Sequence, residues 1–209
     1  MNIRLQSVNR KNPSSLRRQI RQRRRQLPVS TQRRNSRLIT RHLKHHSVFL
    51  NAKKIGLYWP TDGEVSLVEL CSLRNKQFFW PILQERVRPW QGRGLLFART
   101  SGRWRDNRYG IPEPVSRKLF RARDLDCILV PVVGFDEALH RLGMGGGYYD
   151  RALANLNPWK PTTLIGVAHE LQKVSELAHN TWDIRMDGVV TESGLRFRSQ
   201  RDSLGEPLD

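Results

Sequence analysis

Short runs of apolar residues recur along the chain with the length and composition of buried strands. The clearest run, at 127–133, is β-branched and almost wholly apolar, which is typical of a strand buried on both faces of a parallel sheet. Five further runs predict strands at 54–59, 76–82, 95–98, 164–168 and 189–191, and helices are predicted at 66–74 and 148–156. This order of strand, crossover and strand predicts a three-layer α/β/α fold, Rossmann-like, with a mostly parallel sheet.

Ahead of the first predicted strand, the apolar positions follow a helical spacing instead. Apolar residues at 16, 20 and 27 lie along a strongly cationic helix that begins near Pro13 and ends at Pro28. Ser30 is a suitable cap for a second helix, which runs to about His46. We therefore expect a basic helical arm over 1–50 packed on the core, a single α/β domain over 51–199 and a flexible tail over 200–209.

The positive charge of the chain is concentrated in this arm. The whole chain has 37 Lys or Arg and 19 Asp or Glu, a formal net charge of +18 at pH 7. Residues 1–61 contain 16 of the basic residues and none of the acidic ones, whereas 62–209 contain 21 basic and 19 acidic residues. The arm is therefore expected to meet an anionic partner.

Two interpretations of the arm compete. A block of like charge is typical of nucleic-acid binding, because neutralised phosphates release counterions. The arm lacks interleaved aromatic residues that would stack on bases. Alternatively, several arginines on one helix face can lean over the domain and contact a triphosphate. Nucleic acid and nucleotide are both candidate partners of the arm.

The segment from Arg141 to Asp150 carries the strongest indication of chemistry. Its sequence, Arg-Leu-Gly-Met-Gly-Gly-Gly-Tyr-Tyr-Asp, places four glycines between an apolar strand and a predicted helix. Glycines let backbone N–H groups approach an anion, and the start of a helix adds unpaired donors. The bracketing arginine and acid favour a nucleotide with its metal ion over a plain glycine-rich turn. The segment contains neither a Walker A loop nor a Gly-x-Gly-x-x-Gly pattern.

Other sequence features limit the setting of the protein. No apolar run approaches the roughly 20 residues of a membrane span, and the basic N-terminus lacks the apolar region of a secretory signal. Cys71 and Cys127 have neither metal-site nor disulfide-framework spacing, so we expect reduced thiols and a cytoplasmic location. We also expect a monomer.

Several motifs, taken in order, resemble the 5-formyltetrahydrofolate cyclo-ligases, also called methenyltetrahydrofolate synthetases. The glycine loop, preceded by Val-Pro-Val-Val-Gly-Phe-Asp at 130–136, resembles the signature of that family. Tyr-Trp-Pro at 58–60 with Gly-Glu-Val at 63–65, and Trp104 with Tyr-Gly-Ile-Pro-Glu-Pro at 109–114, resemble two further segments. The C-terminal part is matched by segments at 166–172, 182–183 and 189–192. The resemblance covers roughly residues 14–195.

The resemblance implies a reaction and its substrates. Members of the family use ATP to phosphorylate the oxygen of a formyl group on folate N5, which is an amide and a poor electrophile. The N10 amine then attacks, phosphate leaves, and the ring closes to 5,10-methenyltetrahydrofolate. Such phosphoryl transfer needs mainly positioning and charge neutralisation. A reduced folate, ATP as co-substrate and Mg²⁺ are therefore the expected ligands.

The resemblance also implies roles for individual residues. Glu64 and Arg141 would be catalytic, and Asp150 and Asp183 would hold Mg²⁺. The folate would be bound by Tyr58, Glu64, Trp104 and Tyr149. ATP would be bound by one arm residue and the glycine loop: Arg17, Arg141, Leu142, Gly143, Met144, Gly145, Gly146, Gly147, Tyr148 and Tyr149.

The residues themselves leave simpler interpretations open. Asp150 is also an ordinary first-turn helix charge, and Glu64 can cap a helix near Ser66. Trp104 can be a core or loop aromatic, and Asp183 an ordinary surface acid. A regulator that binds folate or nucleotide without forming ADP is a third class of function.

The chain departs from the family pattern in its arm and its loop. An opening Lys-x-x-Leu-Arg motif lacks its lysine here, since Pro-Ser-Ser-Leu-Arg occupies 13–17. A lysine that some members carry in the glycine loop is replaced by Gly146. We therefore expect Arg141 and the arm, through Arg17 with Lys11 or Arg21, to carry more of the phosphate charge.

Overall fold

The computed structural model describes residues 12–84, 94–100, 102–154, 156, 161–180 and 183–198. The helices in this part are α1 Pro13–Arg25, α2 Val29–Lys44, α3 Ser47–Asn51 and α4 Tyr148–Leu153. The strands are β1 Lys54–Gly56, β2 Gln77–Gln84, β3 Gly94–Ala98, β4 Trp104–Asp106, β5 Pro112–Pro114, β6 Cys127–Pro131, β7 Gly134–Phe135, β8 Arg141–Leu142, β9 Thr163–Val167, β10 Gly188–Thr191 and β11 Gly194–Phe197. Short 3₁₀ turns lie at Val68–Ser72, Ala122–Asp124 and Glu170–Gln172.

Seven strands form the main sheet, in the order β11-β10-β9-β6-β1-β2-β3. The five inner strands pair in parallel. The outermost strands, β3 and β11, pair antiparallel to their neighbours. The mostly parallel sheet predicted from the alternation of elements is therefore confirmed.

Apolar side chains cover both faces of this sheet. Leu129 packs with Ile39 and Leu43 of α2 on one face. Its neighbour Val130 packs with Leu153 of α4 on the other, as the two-residue period of a strand requires. The three-layer α/β/α arrangement is therefore confirmed.

The helices α1 and α2 lie where the helical spacing predicts them, but the cap predicted at Ser30 is wrong: α2 begins at Val29, after Pro28, so Ser30 lies inside the helix. Ile20 of α1 is buried against Val133 and Leu142, so α1 is fixed to the end of the sheet that carries the glycine loop. α2 contributes to the main core instead. Residues 1–11 of the arm and the tail at 200–209 lie outside the described residues, and the division into arm and domain stays a prediction. Among the described helices, none has the length and apolar character needed to cross a membrane.

Three further local predictions were wrong. The helix predicted over 66–74 is a single 3₁₀ turn, Val68–Ser72. Leu67 and Leu70 are both buried, and residues three apart lie on one side of a 3₁₀ turn. The helix predicted over 148–156 ends at Leu153, and the strand predicted over 54–59 ends at Gly56.

The glycine loop does not follow the buried strand β6 directly, as the sequence suggested. The hairpin of β7 and β8 intervenes, with Phe135 opposite Arg141. The buried Asp136 carboxylate fixes this hairpin by accepting the backbone N–H of His140 over 2.9 Å and that of Leu177 over 3.0 Å. Arg141 therefore lies on a short strand rather than in the loop.

Candidate active site

The glycine loop connects β8 to α4 and depends on its glycines for its shape. Gly145 has φ +92° and Gly147 has φ +64°, a region that L residues rarely adopt. A Cβ on Gly147 would also lie 2.6 Å from Nη1 of Arg151. α4 has only six residues, and the side chains of Arg17, Arg141 and Arg151 lie around the loop.

Arg141 lies on β8, directly before the glycine loop, and its cationic side chain is buried. Its side chain is 7% exposed and forms an ion pair with Asp150 through Nη2. Its Nε is buried and has no hydrogen-bond partner within the described part of the chain. Burying an N–H donor without a partner costs about 1–3 kcal/mol. Such a group indicates a place where a ligand oxygen is expected.

Arg17 joins α1 to the same loop. Its Nε donates a hydrogen bond of 2.8 Å to the carbonyl oxygen of Gly143. A Cβ on Gly145 would lie 3.6 Å from the Arg17 guanidinium, so the side chain passes along the loop. The structure thus brings together Arg17 and the glycine loop, as expected for the interpretation in which the arm leans over the domain.

The remaining residues expected to bind ATP take different positions around the loop. Leu142 is buried in the core beside Ile20, so only its backbone can face a ligand. The Met144 side chain is exposed. The Gly146 carbonyl accepts a hydrogen bond of 2.8 Å from Arg151. The hydroxyl of Tyr148 meets that of Tyr109 at 3.1 Å.

Glu64 lies in a tight turn at 61–64. The Glu64 N–H donates to the Thr61 carbonyl over 2.9 Å, and the two central residues, Asp62 and Gly63, have φ +55° and +75°. The Glu64 carboxylate accepts the Thr61 N–H over 3.0 Å. It does not cap a helix at Ser66, because the chain forms no helix there.

Three arginines of α1 converge on this turn. Arg21 Nε donates to the Asp62 carboxylate over 2.7 Å, and Arg25 also pairs with it. Arg24 is fully buried, and it donates to the Asp62 carbonyl and carboxylate oxygens, each over 2.9 Å. Its Nη1 lies 3.7 Å from Oε1 of Glu64. Sequence reasoning missed Arg24, because nothing in a run of arginines indicates which one is buried.

Electrostatic interactions connect Glu64 with two tyrosines expected at the folate site. Burial raises the pKa of Glu64, while the Arg24 guanidinium opposes that rise. Burial, and then the negative charge of Glu64, raise the pKa of both Tyr58 and Tyr149. The positive charge of Arg141 acts in the opposite direction and lowers the pKa of Tyr149. Tyr149 therefore interacts electrostatically with both Glu64 and Arg141. The Tyr58 hydroxyl donates to the Val65 carbonyl over 2.6 Å, so its phenol proton is already engaged.

Trp104 belongs to an aromatic cluster that the sequence did not reveal. Its ring centroid lies 5.4 Å from that of Trp59 and 5.4 Å from that of Trp80, and those two rings are 5.5 Å apart. Trp104 is 37% exposed on β4. Trp59 directly follows Tyr58, which is expected at the folate site, and this adjacency is the sequence feature that could have indicated the cluster. The cluster offers flat apolar faces near the turn that holds Glu64.

The two aspartates expected to bind Mg²⁺ are placed differently. Asp150 lies in the first turn of α4 and pairs with Arg141. Asp183 is exposed, and its carboxylate accepts the Asn180 N–H over 2.8 Å. Across the described ranges, no group of three or more His, Cys, Asp or Glu side chains has metal-site geometry. The metal pair stays a prediction.

His169 is a further buried group near the turn that the sequence did not single out. Asn35 Nδ2 and His169 Nδ1 are 3.1 Å apart, and His169 Nε2 lies 3.2 Å from the Gly63 carbonyl oxygen. Burial lowers the pKa of His169, so the neutral ring accepts from Asn35 and donates to Gly63. It fixes the side of the turn that faces α2.

A mostly parallel sheet with an arginine-lined glycine loop at one end is typical of α/β proteins that bind nucleotides. The model of the 5-formyltetrahydrofolate cyclo-ligase family matches residues 9–192. The chain is 36% identical to the 5-formyltetrahydrofolate cyclo-ligase of Escherichia coli K12, with 83% of this chain and 97% of the relative covered. It is 32% identical to the enzyme of that name from Haemophilus influenzae, covering 88% and 99%.

A solved structure agrees with these similarities. The NMR structure of Aquifex aeolicus 5,10-methenyltetrahydrofolate synthetase superposes with a TM-score of 0.75 at 32% identity, covering 94% of this chain and 96% of that one. The chain therefore belongs to the 5-formyltetrahydrofolate cyclo-ligase family, and it is an enzyme of that family.

Proposed function

We propose that the protein catalyses the ATP-dependent cyclisation of 5-formyltetrahydrofolate to 5,10-methenyltetrahydrofolate, with release of ADP and phosphate. Family membership supports the substrate and product. The use of ATP is supported chiefly by the Nε of Arg141, which is buried beside the glycine loop without a hydrogen-bond partner in the described part of the chain. The test is whether the purified protein forms the methenyl product and ADP in equal amounts.

The first step transfers the γ-phosphoryl group of ATP to the formyl oxygen, and ADP leaves. In this proposal Arg141 donates to the transferring phosphoryl group, and the N–H groups of the loop hold the triphosphate. Arg17, the arginine that remains of the motif whose lysine is missing, fixes the loop through Gly143 and supplies positive charge beside it. Tyr149 interacts electrostatically with both Arg141 and Glu64, and in this proposal it contacts the folate beside the triphosphate.

The second step closes the ring. The N10 nitrogen attacks the formyl carbon, the C–O bond to phosphate breaks, and the N10 proton is lost as the C–N bond forms. The product is a cation delocalised over N5, the bridging carbon and N10. We assign Glu64 to orient N10 and stabilise this developing cation, and Tyr58 and Trp104 to pack against the pterin.

The residues at the loop also fit Mg²⁺. Carboxylate oxygens are the protein ligands that Mg²⁺ prefers, and Asp150 places one beside Arg141. We assign Asp150 and Asp183 as its ligands. Bound Mg²⁺ would neutralise part of the triphosphate charge.

A second candidate function concerns the exposed surface of α2. Arg33, Arg37 and Arg41 lie four residues apart on one face, and in the described part of the chain they have no ion-pair partner. Such a stripe favours a polyanion such as RNA. Replacing these three arginines by glutamine should reduce the salt dependence of RNA binding by about two counterions, whereas Arg141→Ala should leave it unchanged.

A further inference from the structure

We propose that Arg24 of α1 is a positioning residue for Glu64: it holds the turn at 61–64 in place and supplies the buried positive charge beside the Glu64 carboxylate. This inference rests on the proposed role of Glu64 in ring closure. Arg24 would contact neither substrate, and it would act only through the turn. No motif indicated it, since it stands in a run of three arginines.

The geometry of Arg24 is that of a built-in support. Its side chain is fully buried, and its guanidinium uses separate nitrogens for separate parts of the turn. Nε donates to the Asp62 carbonyl and Nη2 to the Asp62 carboxylate, while Nη1 faces Glu64 at 3.7 Å. A lysine has a single nitrogen and cannot reproduce this fork.

The turn is also shaped around the backbone of Arg24. A Cβ on Gly63 would lie 3.3 Å from the Arg24 carbonyl oxygen. Gly63 and Asp62 both have positive φ, which glycine adopts without strain and which aspartate tolerates better than most residues. The backbone of the turn therefore fits closely against the backbone of α1 at Arg24.

The other charged groups around Glu64 do not replace Arg24. Asp62 adds negative charge next to Glu64, and Tyr58 and Tyr149 have phenols whose pKa values are raised. His169, which contacts the turn through Gly63, is held neutral because burial lowers its pKa. Arg24 is the cation that lowers the pKa of Glu64 against the effect of burial. Without it, Glu64 would be protonated at a higher pH.

The neighbouring arginines of α1 are not buried as Arg24 is. Arg21 and Arg25 reach the Asp62 carboxylate from the solvent side, and both side chains are partly or largely exposed. Arg23 is exposed, and no contact to the turn is described for it. The run thus supplies a matched control for charge, since Arg23→Met removes one arginine without touching the turn.

The test measures kcat/KM for methenyl formation as a function of pH in the full-length protein. Arg24→Met should lower kcat/KM at neutral pH about 10- to 100-fold, by analogy with residues that orient the side chains bound to a metal ion. The acidic limb of the pH profile of kcat/KM should move to higher pH by about one unit or more, because the positive charge near Glu64 is lost. Arg24→Lys should lower kcat while keeping the acidic limb close to that of the wild type, and Arg23→Met should match the wild type.

A double-mutant cycle separates positioning from a general loss of structure. In a Glu64→Gln background, Arg24→Met should change kcat/KM by less than about twofold. A loss that is equal at all pH values and fully retained in that background would overturn the inference, as would unchanged activity in Arg24→Met. If Arg24→Met does not fold, Arg24→Lys decides. A lower kcat with an unshifted acidic limb supports the inference, and a kcat equal to that of the wild type contradicts it. A wild-type protein without activity would instead refute the proposed function.

Discussion

Arg17 and Gly143, which are 126 positions apart in sequence, are joined by a hydrogen bond of 2.8 Å from the guanidinium Nε to the loop carbonyl. The burial of Ile20 one turn further along α1 fixes the helix that carries Arg17. The basic N-terminal helix is thus a structural neighbour of the glycine loop, and part of its charge is directed at the domain.

Arg17→Ala should raise the KM for ATP about tenfold with a smaller change in kcat. The reason is the loss of a charged hydrogen bond that orders the loop, which contributes about 1.5–3 kcal/mol. Steady-state kinetics with varied ATP measures the effect. Arg18→Ala is the control, because Arg18 is exposed on the same helix. Equal KM values for the two variants would contradict a role of Arg17 in ATP binding.

Arg141→Ala should cost about 2–4 kcal/mol of transition-state stabilisation, measured from the ratio of kcat/KM values. This is the usual cost of losing a preorganised donor to the transition state. Arg141→Lys should restore little, because a lysine has no Nε donor in the guanidinium geometry. The unfolding temperature should change less, since Asp150 is partly exposed and can be solvated alone. Turnover close to that of the wild type in the folded variant would remove Arg141 from the site.

Gly145→Ala should destabilise the fold by about 1–2 kcal/mol and also lower kcat/KM, because the loop needs a positive φ at this position. Gly102 provides a matched control, as it has the same φ of +92° and a Cβ added there would meet no described atom within 4 Å. Gly102→Ala should lose similar stability, measured by chemical denaturation, and keep its activity. Equal losses of activity in both variants would show that strain alone is responsible.

The Asp62 ion-pair cluster should make stability depend on pH in the acidic range. Burial raises the pKa of Asp62, but the hydrogen bonds from Arg21 and Arg25 and the charge of Arg24 outweigh it, so the pKa is lowered. A lowered carboxyl pKa stabilises the folded state above the unfolded pKa, and this contribution is lost as the pH falls through the folded pKa. Asp62→Asn should cost about 1.5–3 kcal/mol near pH 7.

The same variant and the wild type should approach equal stability as the medium becomes acidic. Asparagine suits the comparison because it also tolerates a positive φ. Urea denaturation at a series of pH values measures the difference. A stability gap that stays constant down to strongly acidic pH would assign the effect to side-chain packing instead of charge.

The sheet was predictable from sequence, whereas the turn that carries Glu64 was not. Residues 127–133 are apolar without interruption, and a short run of this kind is typical of a buried strand. The 61–64 turn depends on Arg24 and Asp62, which are 38 positions apart. The burial of one arginine within a run of exposed ones is decided by that distant partner. Local patterns carry no information about it.

The candidate site was predictable only where a motif is continuous in sequence. The glycine loop was visible because its residues are adjacent, although the hairpin before it was missed, since β7 and β8 have two residues each. The cluster of Trp59, Trp80 and Trp104 comes from three separate segments. Only the folded chain brings these rings together, because Trp80 lies in the main sheet, Trp104 in the small β4–β5 sheet and Trp59 outside both.

The most direct test of the proposed activity is the absorbance change of methenyl formation after mixing the purified protein with 5-formyltetrahydrofolate and MgATP, with ADP measured in parallel. We expect product and ADP to appear one for one, and chelation of Mg²⁺ to stop both. If the folded protein binds ATP but neither product nor ADP appears, the cyclo-ligase activity proposed for this chain is contradicted, and a regulator that binds its ligands without turnover becomes the better explanation.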